Sequence, residues 1–136
     1  MMRVAILGSS TPALEYAHNI LDKTPSTRIT VYTEDAEVGF PEVVISDELV
    51  MSELMDSIPN NWYSSIPEGI DWDTPSTSAS SWLSKSMAIR LASRGGRFLL
   101  RTNVLNIDED RREISFRGGG MARSGVEPYD KLYDFR

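Results

Sequence analysis

The sequence predicts an α/β fold with a strand–helix–strand start, an irregular insert and a β-rich C-terminal part. Three observations carry this. Residues 2–7 form an aliphatic-rich run that ends at Gly8. Ala13, Leu14, Ala17, Ile20 and Leu21 then recur at three- and four-residue spacing, which makes one apolar helical stripe. Residues 28–33 (Arg-Ile-Thr-Val-Tyr-Thr) follow as a second run, rich in β-branched and aromatic side chains. A continuous apolar run, in place of alternation, suits a strand buried on both faces of a parallel sheet. Two parallel strands joined through a helix make a βαβ unit, right-handed by rule.

The helix has local start and stop signals. Pro12 falls in the first helical turn, where its missing N–H costs nothing. Pro25 disfavours helical geometry at Thr24 and should end the helix there. Residues 47–57 predict a second helix, with Leu49, Met51, Leu54, Met55 and Ile58 as its apolar set. Around 59–80, Pro59, Pro67, Pro75 and Gly69 among many Ser and Thr residues predict an irregular insert, and 74–81 approaches low complexity. A stretch of that length is uncommon unless it covers or lines a site. Order returns in a helix over 80–94, capped by Ser80 or Ser81, with Leu83, Met87, Ala88 and Leu91 buried and Gly95 or Gly96 ending it. Strands are expected over 98–101 continuing through 104–107, then 113–117, then 129–133, with turns at 108–110 and 117–125.

At 136 residues, the length prior puts residues 1–136 in a single domain. The absence of cysteine excludes disulfides, thiolate catalysis and zinc–sulfur sites, and a lone histidine, His18, excludes a histidine-rich metal site. A net charge of −6 argues against nucleic-acid or anionic-membrane partners, which call for a basic stripe. No apolar run approaches the roughly 20 residues of a membrane span, and no signal-peptide core is present, so a cytoplasmic location is expected.

The turn after the first strand is the chemical feature. A helix N-terminus offers unpaired backbone N–H groups and a partial positive charge, and glycines let a phosphate approach. Gly8, Ser9, Ser10, Thr11, Pro12 and Ala13 occupy the Gly-x-Gly-x-x-Gly/Ala template of Rossmann-like dinucleotide-binding domains, with Ser10 at the second glycine position. The same template expects an acid near the end of the second strand, accepting bonds from ribose hydroxyls. Thr33 falls near that position; Glu34 is the first candidate acid and Asp35 the second.

In this order the elements resemble the N-terminal region of glutathione-reductase-type FAD flavoproteins, and among them the geranylgeranyl-reductase-like group. Val4-Ala5-Ile6-Leu7-Gly8 resembles the first strand and turn, and Ile29-Thr30-Val31-Tyr32 the second strand. Glu37-Val38-Gly39-Phe40-Pro41 resembles the glycine segment that approaches the flavin, and 82–95 the following helix. Residues 98–107 resemble a strand pair in which a valine backbone contacts adenine, Val104 being the matching position. Tyr129-Asp130-Lys131-Leu132 resembles the approach to a second FAD-contacting glycine, and Arg136 falls about where that glycine would come. The resemblance implies a Rossmann-like FAD/NAD(P)-binding domain of a flavin-dependent oxidoreductase, with FAD as cofactor. It covers the ADP half better than the flavin ring, so a protein partner or a homo-oligomer completing the site is expected. By resemblance alone the substrate is an unsaturated lipid. The alternatives are an NAD(P)-binding domain, or a degenerate Rossmann domain without redox activity that binds a nucleotide or a protein.

Other features read as structural. Trp62-Tyr63 anchor a loop, Gly118-Gly119-Gly120 form an inter-strand turn, Arg111-Arg112 make local ion pairs in a turn, and His18 is expected at the surface or core boundary. No residue presents itself as a catalytic acid, base or nucleophile, which is consistent with a cofactor carrying the chemistry.

Overall fold

The computed structural model describes residues 1–38, 50–65, 73, 79–119 and 123–136. The first aliphatic run forms β1 (Arg3–Leu7), followed by helix α1 (Thr11–Lys23) and β2 (Arg28–Tyr32). β1 and β2 pair in parallel from Arg3 with Arg28 through Leu7 with Tyr32. Alternation along β1 and β2 sorts their side chains onto two faces. Val4, Ile6, Ile29 and Val31 join Ala13, Leu14, Ala17 and Leu21 of α1 in one core cluster. Ala5, Leu7 and Tyr32 join a second cluster with Ile114, Phe116 and Tyr129. Both faces of these strands are therefore buried, which is why they read as unbroken apolar runs.

Helix α2 (Met51–Asp56) is shorter than expected, and residues 47–49 lie outside the described residues. A single 3-10 turn over Asn60–Trp62 follows. Of the predicted irregular insert, 66–72 and 74–78 lie outside the described residues, as do Gly39, Phe40, Pro41 and Gly120. Helix α3 (Ala79–Ser93) contributes Leu83, Met87, Ala88 and Leu91 to the first core cluster. Ser80 and Ser81 fall inside this helix and are not its cap. Its other end follows expectation: Gly95 adopts φ +97, its N–H donates to Ala92 O, and the Gly96 N–H donates to Leu91 O at 2.9 Å. This is the Schellman ending, which satisfies the last free carbonyls.

The expected strand over 98–101 and 104–107 is divided. β3 (Arg97–Leu99) adds in parallel to β2, while β4 (Thr102–Asp108) belongs to another sheet. The break falls at Leu100 and Arg101, where Arg101 takes φ 49 and turns the chain. β4 pairs antiparallel with β5 (Glu113–Gly118), and β5 with β6 (Gly125–Pro128). β6 was not expected. Its Gly-Val-Glu-Pro sequence has no apolar run, its Val126 is exposed, and it lies at a sheet edge, where proline is tolerated.

β7 (Lys131–Asp134) corrects a second expectation. It leaves the β-rich part and pairs in parallel with β1, from Val4 with Lys131 through Leu7 with Asp134. Among the described residues the parallel sheet has the order β3-β2-β1-β7 and the antiparallel one β4-β5-β6. Helices α1 and α3 cover one face of the parallel sheet, and the antiparallel sheet packs on the other through Ile114, Phe116 and Tyr129.

His18 is not at the surface. It is fully buried between α1 and α3, with Nε2 2.9 Å from Met87 O and Nδ1 2.9 Å from Arg94 Nη1. A guanidinium only donates, so Nδ1 accepts and Nε2 carries the proton toward the Met87 carbonyl. Burial is the main influence holding the His18 pKa below its ordinary value, and the Arg94 charge acts in the same direction. The imidazole stacks on Trp62 at 6.0 Å between ring centroids. Trp62 in turn donates to Asp22 at 2.6 Å, beside Arg94 at 2.7 Å and Asn61 at 2.9 Å. Partial burial pushes the Asp22 carboxyl up, but these three hydrogen bonds together keep it below its ordinary value. Trp62 and Tyr63 thus anchor their loop on the first core cluster, as expected.

Candidate functional site

The C-terminal ends of β1 and β2 and the start of α1 open onto a cleft of about 320 Å³. Gly8 stands at its base with φ +101. A Cβ there would lie 3.3 Å from the Phe135 carbonyl carbon and oxygen, so both conformation and packing require glycine. The Gly8 N–H donates to Tyr32 O at 2.8 Å, and the Phe135 N–H donates to Leu7 O at 2.8 Å. The glycine of the fingerprint therefore has a structural reason of its own, in the approach of the β7 exit to the β1 turn.

Ser10 is the N-cap of α1. Its Oγ accepts from the Ala13 N–H at 3.4 Å, and its carbonyl accepts from the Leu14 N–H at 3.0 Å. Four N–H positions at a helix start lack intrahelical partners. Pro12 removes one and Ser10 Oγ satisfies another, which leaves the amides of Ser10 and Thr11. The hydroxyl at the second glycine position has thus taken over part of the role an anion would play.

The acidic loop is tied to the same turn. Ser9 Oγ donates to Asp35 Oδ2 at 3.2 Å and lies 3.0 Å from Thr33 Oγ1. Since the Ser9 proton goes to the carboxylate, Thr33 is the donor in that second contact, while it accepts from the Asp35 N–H at 3.2 Å. The Arg101 N–H donates to Asp35 O, the Thr102 N–H to Thr33 O, and the Gly119 N–H to Arg101 O. Asp35 is fixed by this lacework; both acids are exposed, and among the described residues Glu34 has no such hydrogen bond. Of the two candidate acids, Asp35 is the one tied to the β1 turn.

Gly8, Ser9, Ser10, Glu34, Asp35 and Val104 all line the cleft. Thr11, Pro12 and Ala13 do not. The Thr11 hydroxyl contacts Ser84 Oγ of α3 at 2.7 Å, Pro12 is exposed, and Ala13 is buried under the helix. Val104 sits in β4 where the register with β5 slips between Val104 and Asn106, an irregularity that re-aims side chains. Reading the sequence did not bring Thr102, Phe135 and Arg136 to this cleft. Only the parallel return of β7 delivers the last two, and no local signal announces that pairing. Arg136 donates to Asp134 through Nε at 3.0 Å and Nη2 at 2.9 Å. That pairing holds the Asp134 carboxyl below its ordinary pKa and raises the guanidinium.

No protein-family model matches the chain, and no curated protein matches it. Solved structures do. A geranylgeranyl bacteriochlorophyll reductase-like protein from Thermoplasma acidophilum is similar with a TM-score of 0.65 at 11% identity, over 98% of this chain and 39% of that one. A pyridine nucleotide-disulfide family oxidoreductase from Enterococcus faecalis V583 gives 0.58 at 16% identity, over 98% and 22%. A water-forming NADH oxidase from Lactobacillus brevis, bound to NADH, gives 0.58 at 18% identity, over 98% and 24%. The chain thus spans between about a fifth and two fifths of those chains. At these identities the likeness establishes the fold, which is α/β and Rossmann-like with a βαβ start and an added antiparallel sheet. Among the described residues no helix is long and apolar enough to cross a membrane.

Proposed function

We propose that residues 1–136 form one dinucleotide-binding unit, the FAD-binding module of a flavin-dependent oxidoreductase acting in the cytoplasm. The observation that carries this is the cleft where the β1 turn, the α1 N-terminus and a tethered carboxylate converge at the C-terminal edge of a parallel sheet. Ligands of open α/β sheets bind at that edge. Its volume, about 320 Å³, is at the lower end for small-molecule sites, which suits the ADP half of the cofactor. In this reading the Ser10 amide faces the pyrophosphate, Asp35 with Glu34 accepts from the ribose hydroxyls, and the Val104 backbone meets adenine. Bound FAD would supply the redox chemistry; the chain's own residues bind and orient it. The flavin-ring side and the substrate site come from further polypeptide, in the same chain, a partner or a second copy.

NAD(P) is the second reading, favoured by the NADH held by one structural neighbour. Titration of the purified chain with FAD, NADH, NADPH and ADP, followed by calorimetry, separates them. Saturable FAD binding, weakened about tenfold by Asp35→Asn, supports the proposal, since a hydrogen bond to a charged group contributes about 1.5 kcal/mol. Binding of NADH without FAD moves the assignment to the second reading. A chain that binds none of the four at millimolar concentration is a Rossmann-like domain without a nucleotide.

A further inference from the structure

A second hollow, of about 350 Å³, runs along the same strands from Arg3 and Arg28 at their starts to Tyr32, which it shares with the first cleft. β1, β2 and β3 each begin with an arginine: Arg3, Arg28 and Arg97. Arg3 and Arg28 are register partners, and Arg97 is the partner of Thr30. By alternation Arg3 shares a face with Ala5, and Arg28 with Thr30 and Tyr32. That is the face on which the antiparallel sheet packs. Arg123 and Glu127, from the β6 side, complete the lining.

Glu127 organises the hollow. Its carboxylate pairs with Arg97, accepts from the Tyr32 hydroxyl at 3.1 Å and has Arg123 Nη1 at 3.7 Å. Burial, reinforced by Glu127, raises the Tyr32 pKa, so the phenol stays a donor. Asp130 holds Arg3 through Nε at 3.2 Å and Nη2 at 3.1 Å. Among the described residues, no carboxylate pairs with Arg28. Four guanidinium groups thus stand around two carboxylates, an excess of two positive charges in a chain whose net charge is −6.

We infer that this hollow binds a phosphate dianion, free or as a small phosphate ester, with Arg28 and Arg123 as its principal contacts. The dianion matches the net excess of two positive charges, Arg123 sharing Glu127 with Arg97, and the guanidinium fork matches phosphate oxygens. The hollow is larger than phosphate alone and leaves room for a small organic group. Tyr32 lines both the hollow and the nucleotide cleft, while the four arginines line the hollow and the Gly8 turn lines the cleft. The inference rests on the arginines and not on the nucleotide reading.

Backbone amide NMR of the whole chain tests it, by titration with inorganic phosphate, glycerol 3-phosphate, succinate and sodium chloride at constant ionic strength. Saturable shifts at Arg28, Thr30, Glu127 and Tyr129 with phosphate or its ester are expected. Tighter binding of the ester identifies an ester as the ligand; equal or weaker binding identifies free phosphate. The double variant Arg28→Gln/Arg123→Gln, at two exposed positions, should lose phosphate affinity at least about tenfold while the amide signals of residues 8–11 stay unchanged. Shifts equal to those from chloride, shifts confined to 8–11, tighter binding of succinate, or full affinity in the double variant would each overturn the inference. The wild-type map decides the matter by itself if the variant does not fold.

Discussion

The two ends of the parallel sheet are built by different means. At the C-terminal end the backbone shapes the cleft: a glycine at positive φ, an N-capped helix and a loop held by main-chain hydrogen bonds. At the N-terminal end the strands are regular, and the hollow's charge comes from arginine side chains around Glu127. The difference teaches where mutations should act. Changes that alter the backbone at the first end, above all at Gly8, should disturb folding, whereas exchanging an exposed arginine at the second should alter electrostatics and leave folding intact.

The largest effect is expected from Gly8→Val, which forces a β-branched residue to φ +101 against the Phe135 backbone. A loss of about 3 kcal/mol in urea unfolding is expected. A loss below about 1 kcal/mol would break the comparison, because the turn would then have slack.

Midway between the ends, His18 gives a pH-dependent effect. Burial lowers its folded-state pKa, so the unfolded chain takes up the proton first, near the ordinary value of about 6.5. The stability present above that pH is lost as pH falls below it. Unfolding midpoints should therefore drop between about pH 7.5 and about pH 5.5 in the wild type. In His18→Gln they should start lower and change less; equal slopes would show that His18 is not the titrating group.

Ser10→Gly should cost only a few tenths of a kcal/mol, since glycine is a tolerable N-cap. It also frees the Ala13 N–H, so nucleotide affinity should rise severalfold by calorimetry. Unchanged affinity would mean that the first turn does not face a ligand. Smallest of all, Arg28→Gln should shift stability by less than about 0.5 kcal/mol, as expected for an exposed strand position without an ion pair among the described residues. A larger loss in urea unfolding would show that the N-terminal end is structural after all.

The same contrast explains what could be read in advance. β1, α1 and β2 were legible because burial on two faces, a proline in the first turn and a proline after the last turn are local signals. That Gly8, Ser10 and the acidic pair meet at one cleft was legible because a backbone-built turn leaves a spaced motif. β6 was missed because Gly-Val-Glu-Pro carries no apolar pattern. The parallel return of β7, the division at Arg101 and the burial of His18 depend on partners far along the chain, such as Val4, Gly119 and Met87. The arginines of the second hollow come from four separate segments, and nothing in their local sequence connects them.

The main-chain ties at Arg101 carry one more consequence. Arg101 receives the Gly119 amide and gives its own to Asp35, while Thr102 reaches back to Thr33, so the acidic loop is sutured to the antiparallel sheet. Its ordering entropy is spent when the chain folds, before any ligand arrives. Hydrogen exchange at Asp35, Arg101 and Thr102 should therefore slow together, and the loop should behave as a rigid lip of that sheet.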